Sequence, residues 1–221
     1  MITACIVQAR LGSARLPAKV LLPLPNGLTV VDNVIARCLR IVGVDVVVCA
    51  IPDADDVLSD FLDSGWSSHH IKVRVVRGPE QDVLTRYALA AKDTKADVVM
   101  RITADCPLLD PETCSQMLEW FKSGAYDYVS NSWPSRSFPH GLDCEIFTAE
   151  ALRTAQANES LTAEDREHVG PGIRKSMRGQ SGLWKAMTDR SNERITLDTL
   201  DDYRHIYQVM LNGTHSDQRA A

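Results

Sequence analysis

Residues 2–19 read I-T-A-C-I-V-Q-A-R-L-G-S-A-R-L-P-A-K. The stretch 2–7 is short, apolar and rich in β-branched residues, with no period of 3.6. That pattern predicts a buried parallel strand. A loop marked by Gly12, Ser13 and Pro17 follows at once. Within its ten residues 10–19 lie three cations, Arg10, Arg15 and Lys19, directly after the strand's carboxyl end. Glycine lets backbone N–H groups approach an oxyanion, while arginine and lysine neutralise its charge. The combination suits a triphosphate, the alternative reading being a solvated basic loop. It is neither a G-x-x-x-x-G-K loop nor a G-x-G-x-x-G turn.

The alternation continues outward from this unit. Apolar residues at 30, 31, 34, 35, 38, 39 and 42 form a helical stripe. Residues 45–51 (DVVVCAI) predict a second strand, and 55–62 a short helix. Residues 72–76 predict a third strand, ended by Gly78-Pro79. Val83, Leu84, Tyr87, Ala88 and Ala91 lie at helical spacing within 80–92. Residues 97–102 (DVVMRI) predict a fourth strand. Pro111 opens a helix at a first-turn position, where its missing N–H costs nothing, and the helix runs to about 121. Residues 126–130 predict a fifth strand.

This is β-α repetition with short links, which predicts an α/β fold with a mostly parallel central sheet flanked by helices. Such sheets bind ligands beyond the carboxyl ends of their strands. The second half is less regular. It predicts a strand at 142–147 and a helix at 149–157. A charged helix follows at 162–177, broken by Gly170-Pro171-Gly172. A last strand is expected at 194–197 and a last helix at 199–211. Residues 214–221 are polar and are expected to form a flexible tail after a single domain spanning 1–213.

The chain has 221 residues, 44% hydrophobic and 24% charged, which argues against wholesale disorder. A net charge of −5 argues against a nucleic-acid partner held by a general basic field. No run of ~18 apolar residues predicts a membrane span. Met1 leads straight into the first strand without a basic region, so no signal peptide is expected. Cys5, Cys38, Cys49, Cys106, Cys114 and Cys144 form no C-x-x-C pair. They read as reduced, mostly buried thiols of a cytoplasmic protein.

Two aspartates follow strands. Asp105 lies in R-I-T-A-D-C-P at 101–107, where a carboxylate can hold Mg²⁺ over phosphate oxygens or simply make a turn. Asp198 lies in R-I-T-L-D-T-L-D-D at 194–202, as a second metal ligand or as a helix N-cap. Asp53-x-Asp55 has the D-x-D spacing of a glycosyltransferase, but it comes early in the sheet, and a plain loop is the better reading.

Several segments occur in order: Q-A-R-L-G-S-A-R-L-P-A-K-V-L (8–21), R-G-P-E-Q-D-V-L-T-R-Y (77–87), R-I-T-A-D-C-P-L-L-D-P (101–111), D-Y-V-S-N (127–131), F-P-H-G-L-D-C-E-I-F (138–147), R-E-H-V (166–169) and T-L-D-T-L-D-D (196–202). Together they resemble the SpsF-like cytidylyltransferases, which are similar to CMP-Kdo and CMP-sialate synthetases. The resemblance spans residues 2 to about 211. It implies a Rossmann-like nucleotidyltransferase fold, with a nucleotide-binding half at 1–130 and an acceptor-binding half at 131–213. It implies that Gln8, Ala9, Arg10, Leu11, Gly12, Ser13, Arg15 and Lys19 grip CTP. Arg77, Gly78 and Asp82 would lie near the base and ribose, although Asp82 equally suits a helix cap. Thr103, Ala104 and Asp105 complete the nucleotide site, and Asp105 with Asp198 would bind Mg²⁺. Lys19, Arg10 and Arg15 are the expected catalytic cations.

The chain departs from the family at Ala104, where relatives carry glycine, at Leu200, where they carry proline, and at Gly170-Pro171-Gly172. It is also shorter than most relatives. For the acceptor side the candidates are Arg136, His140, Asp143, Glu145, Arg166, Glu167, His168 and Arg174. Asp143 and Glu145 alternate with apolar neighbours, so both carboxylates belong to one strand face, read as functional or simply solvated. The expected activity joins CTP to a small anionic acceptor, a phosphonate or a sugar acid of the Kdo or nonulosonate type, and releases pyrophosphate. The alternatives are a catalytically silent nucleotide-binding relative and a glycosyltransferase. By analogy with relatives, a homodimer is expected.

Overall fold

The computed structural model describes residues 1–67, 70 and 72–217, without the side chains of 67 and 213–217. A seven-stranded sheet runs through it in the order β3-β2-β1-β4-β6-β5-β7. The strands are β1 (Thr3–Gln8), β2 (Val46–Pro52), β3 (Val73–Gly78), β4 (Val98–Thr103), β5 (Tyr126–Ser130), β6 (Glu145–Thr148) and β7 (Gln180–Leu183). The first four pair in parallel. β6 is antiparallel to both β4 and β5, and β7 runs parallel to β5.

Helices cover both faces, as the apolar strands demand. One face packs on α1 (Val30–Cys38), α2 (Asp56–Leu62) and α4 (Pro111–Ser123). The other packs on α3 (Val83–Thr94), α5 (Ala149–Gln156) and α7 (Gly170–Ser176). The face alternates along each strand. Cys5 and Val7 join the first core, while Ala4 and Ile6 join the second. α6 (Ala163–His168) lies beside α3, and α8 (Leu200–Asp217) brings Ile206 onto Leu24, Val30 and Leu197.

Short polar side chains set the helix starts. Thr29 and Asp32 form a reciprocal capping box at α1, and Thr162 and Asp165 form another at α6. Asp110 caps α4 by accepting from the backbone N–H groups of Glu112 and Thr113, just before Pro111. All six cysteines are buried and free. No helix among the described residues is long and apolar enough to cross a membrane.

The second half differs from expectation in four places, the first being that the strand expected at 142–147 is Glu145–Thr148. The strand expected at 194–197 is absent from the sheet. That segment instead makes one isolated bridge, Arg194 to His140, and the seventh strand is Gln180–Leu183. The 193–195 backbone is held beside His140, whose N–H donates to the Glu193 carbonyl at 2.9 Å and whose carbonyl accepts from Ile195 N–H at 2.7 Å. Gly141, at φ 107°, permits that approach, since an added Cβ would stand 2.6 Å from the Ile195 carbonyl carbon. The charged helix expected at 162–177 is two helices. They break at Val169, in the left-handed region at φ 62°, while Gly170-Pro171-Gly172 begins α7. The last helix continues past 211 to Asp217, through the first four residues of the tail expected at 214–221, and residues 218–221 lie outside the described residues.

Asp110→Ala should destabilise the fold by about 1 kcal/mol, the usual cost of losing an N-cap. Equilibrium urea unfolding measures it; an unchanged midpoint would show that the cap contributes nothing.

Candidate active site

β1 and β4 are adjacent, and their carboxyl-terminal residues Gln8 and Thr103 stand side by side. The turns that follow them face each other above the sheet. Lys19 sits in a single helical turn, Lys19–Leu21, and is only 9% exposed. Its ammonium donates to Asp105 Oδ2 at 2.9 Å, to Asp198 Oδ1 at 2.9 Å and to the Leu197 carbonyl at 2.6 Å. An ammonium has three protons, so all are engaged. Asp198 also pairs with Arg15 at 2.9 Å and with Arg194 at 2.7 Å. Burial alone would raise the Asp198 pKa. The hydrogen bonds from Lys19 and Arg15, the Lys19 charge and Arg194 outweigh it and hold the carboxyl well below the usual range.

The backbone locks this arrangement. Leu197 N–H donates to the Asp105 carbonyl at 2.8 Å, and Thr196 Oγ1 donates to the same oxygen at 3.2 Å. The two carboxylates therefore share one cation although they lie far apart in the chain. No cluster of three or more His, Cys, Asp and Glu suited to a metal exists among the described residues. Mg²⁺ commonly takes only one or two carboxylates, the rest of its shell being water and substrate phosphate. Asp105 and Asp198, already converging on a point charge, fit that demand.

The cleft encloses a cavity of about 590 Å³. That is within the range of small-molecule sites. Of the expected nucleotide residues, Gln8, Ala9, Arg10, Ser13, Arg15, Lys19, Thr103, Ala104 and Asp105 line it, as does Asp198. Others do not. The backbone N–H of Leu11 donates to Asp55 Oδ2, and its side chain packs toward the core. Gly12 lies against Glu80. Arg77 is drawn to Asp56 and the Asp53 carbonyl. Gly78 is buried under Arg86 and Leu89. Asp82 caps α3 through Thr85 N–H and accepts twice from Arg166. Asp55, of the D-x-D spacing, flanks the start of α2.

Of the expected acceptor residues, Asp143, Glu145, Glu167 and His168 line the cavity. Arg136 instead pairs with Asp143 at 2.6 Å. His140 bridges Arg194 through its backbone. Its imidazole pKa is lowered by burial and by the charges of Arg136 and Arg194, against Asp143. Arg166 belongs to the Asp82 pair, and Arg174 lies over the Trp133 ring at 4.6 Å and donates to Tyr128 Oη at 2.7 Å. Glu145 is not on a solvated face. It is 7% exposed and bonded to Arg101 and Tyr128, with Arg174 at 3.5 Å.

Several lining residues escape the sequence reading: Arg86, Arg101, Cys106, Ser132 and Thr196. A signal existed for two of them. Arg101 interrupts an apolar strand, and Arg86 lies three residues from Val83 on the helix side turned to the sheet.

α6, which carries Glu167 and His168, is held by Asp165. Hydrogen bonds from Lys175 and Thr162 bring the Asp165 pKa down to about 2. A depressed carboxyl pKa contributes stability above its unfolded value of about 3.9, and the contribution fades as pH falls through the folded value. Asp165→Asn should therefore lower stability at neutral pH, with the difference closing between about pH 4 and pH 2. Denaturation of both proteins across that range tests this; a pH-independent difference would contradict it.

A fold of this topology with converging cations and carboxylates at its strand ends is that of a nucleotidyltransferase. The chain belongs to the cytidylyltransferase family, whose pattern it matches over residues 4–210. It is 30% identical over 218 residues to the spore coat polysaccharide biosynthesis protein SpsF of Bacillus subtilis, covering 91% of this chain and 83% of that one. A cytidylyltransferase structure from Leptospira borgpetersenii superposes with a TM-score of 0.83 at 29% identity, over 94% of this chain and 85% of the other. CMP-2-keto-3-deoxy-manno-octonic acid synthetase, solved with CTP, shares the fold at TM-score 0.72 and 16% identity, over 96% of this chain and all of the other.

Proposed function

We propose that this chain transfers a cytidylyl group from CTP to a small anionic acceptor and releases pyrophosphate. The observation that carries the reading is the meeting of Lys19, Asp105 and Asp198 in one cleft of a cytidylyltransferase-family fold. CTP would lie along the turn after β1, its phosphates on Arg10, Ser13, Arg15 and Lys19. The transfer needs positioning and charge neutralisation more than covalent help. Arg15, at 66% exposure of its side chain, is free to swing onto phosphate from Asp198. Lys19, Arg10 and Arg15 stabilise the charge that grows on departing pyrophosphate. Asp105 and Asp198 would hold Mg²⁺, which when bound supplies charge neutralisation at the α-phosphate. With both carboxylates so engaged, Lys19 would be able to exchange its contacts to them for contacts to phosphate oxygens.

The acceptor oxygen attacks the α-phosphorus, and the bond to the β-phosphate oxygen breaks. The acceptor is a small phosphonate, which already carries an anionic oxygen, or a sugar acid of the Kdo or nonulosonate type, whose hydroxyl must lose a proton.

The direct test supplies each of the four nucleoside triphosphates with Mg²⁺ and a panel of phosphonates and sugar acids, and follows pyrophosphate. CTP should be preferred, and chelation should stop turnover until Mg²⁺ is restored. No preference for CTP would overturn the reading. Asp105→Asn and Asp198→Asn should each reduce turnover by at least about 10²-fold with the fold intact. Near-normal pyrophosphate release from either variant would remove the metal assignment. Lys19→Ala should raise the KM for CTP.

A further inference from the structure

The cations lining the cavity are paired with carboxylates, with one exception among the described residues. Arg10 meets Glu167 at 3.5 Å, Arg15 and Lys19 meet Asp198, and Arg101 meets Glu145 at 2.8 Å. Arg86 lines the same cavity, is 1% exposed and enters no ion pair. Its Nε and Nη1 are buried without a hydrogen-bond acceptor, and so is Nε of Arg101. Asp55 and Glu80 act on Arg86 only through space. Glu145 has nothing to spare, since Arg101, Arg174 and Tyr128 already share it.

A buried guanidinium stays charged, and leaving it unpaired is costly. The cost is consistent with a ligand that supplies the missing charge. A neutral acceptor group would satisfy the N–H groups but not the charge.

The sheet register locates the place. Ile6 pairs with Arg101, Gln8 with Thr103, and Arg101 with Glu145. These residues share the face that α3 covers, and Arg86 descends on it from α3. Glu167 and His168 close the same cavity. Lys19, Asp105 and Asp198 stand instead in the turns above the strand ends. Two charged centres thus line one cleft, and Arg10 of the turn after β1, paired with Glu167, is near enough to Arg86 to act on it through space.

We propose that Arg86, with the free N–H of Arg101, forms the subsite for the anionic head of the acceptor, a carboxylate or phosphonate oxyanion. This rests on the cytidylyl-transfer reading above and adds to it the residues that select the acceptor. Arg86 and Arg101 hold the oxyanion by charge-assisted hydrogen bonds. Glu145, braced by Arg174 and Tyr128, fixes the Arg101 guanidinium.

The test titrates methylphosphonate and acetate by calorimetry into the wild type, Arg86→Met and Arg86→Lys, with CTP titrated in parallel. The wild type should bind at least one anion, and which one separates a phosphonate acceptor from a carboxylate acceptor. Arg86→Met should lose about tenfold or more in that affinity, the worth of a charge-assisted hydrogen bond, and keep its affinity for CTP. Arg86→Lys, which keeps the charge, should retain part of the anion binding. Ligand-free Arg86→Met should also unfold at a higher temperature, because an unpaired buried charge is gone. Three results overturn the proposal: a wild type that binds neither anion, anion affinity unchanged in Arg86→Met, or an equal loss of CTP affinity. A wild type that fails to bind CTP would remove the underlying reading instead.

Discussion

The Lys19 ammonium joins three remote parts of the chain at one point. It comes from the turn after the first strand, and it holds Asp105 from the turn after β4 together with Asp198 and the Leu197 carbonyl from the segment before α8. Without a cation there, two carboxylates would face each other in a partly dry cleft, which is unfavourable. With one, the C-terminal segment is drawn onto the turns after β1 and β4. The same contact sets the preference of the site. In the proposed reaction, two carboxylates around one monovalent charge would accept a divalent cation, provided the lysine has somewhere to go. The phosphates of the proposed substrate offer that destination.

The sheet face beneath follows a different logic. Arg101, Glu145, Arg174 and Tyr128 form a buried polar network flanked by the aromatic rings of Trp133 and Phe147. Buried ion pairs of this kind seldom stabilise more than an apolar core would. Their use is geometric: each partner restrains the next. Arg86 lies outside that mutual satisfaction, and therefore it distinguishes a cavity that is merely polar from one that awaits a charge.

Much of this was legible from residue order. The first five strands and four helices follow from apolar runs separated by short links, and β5 falls on Tyr126–Ser130 as expected. Burial on both faces leaves little freedom to such runs. The region after 131 was harder, because its elements are short and held by contacts distant in sequence. Residues 194–197 carry a strand's composition, yet they end as a connector on Asp105 and His140 rather than in the sheet. β7, Q-S-G-L, carries almost no strand signal and is recruited by pairing with β5. The convergence of Lys19, Asp105 and Asp198 needed coordinates, since spacing along the chain says nothing about which turns face each other. Arg86 carried a signal in its spacing from Val83, but chain order does not reveal that its guanidinium lies buried and unpaired beside the cavity.

Gly141 touches no proposed ligand, yet the cleft depends on its missing methyl group. The backbone of 195–196 runs across the space a side chain there would fill. A side chain at Gly141 would force a shift in that connector, which leads directly into Leu197 and Asp198. The segment that Lys19 and the Asp105 carbonyl fix from within the cleft is thus also constrained from outside it, by close packing of two backbones. A change at Gly141 alone would thus reach the carboxylate pair without altering a charged group.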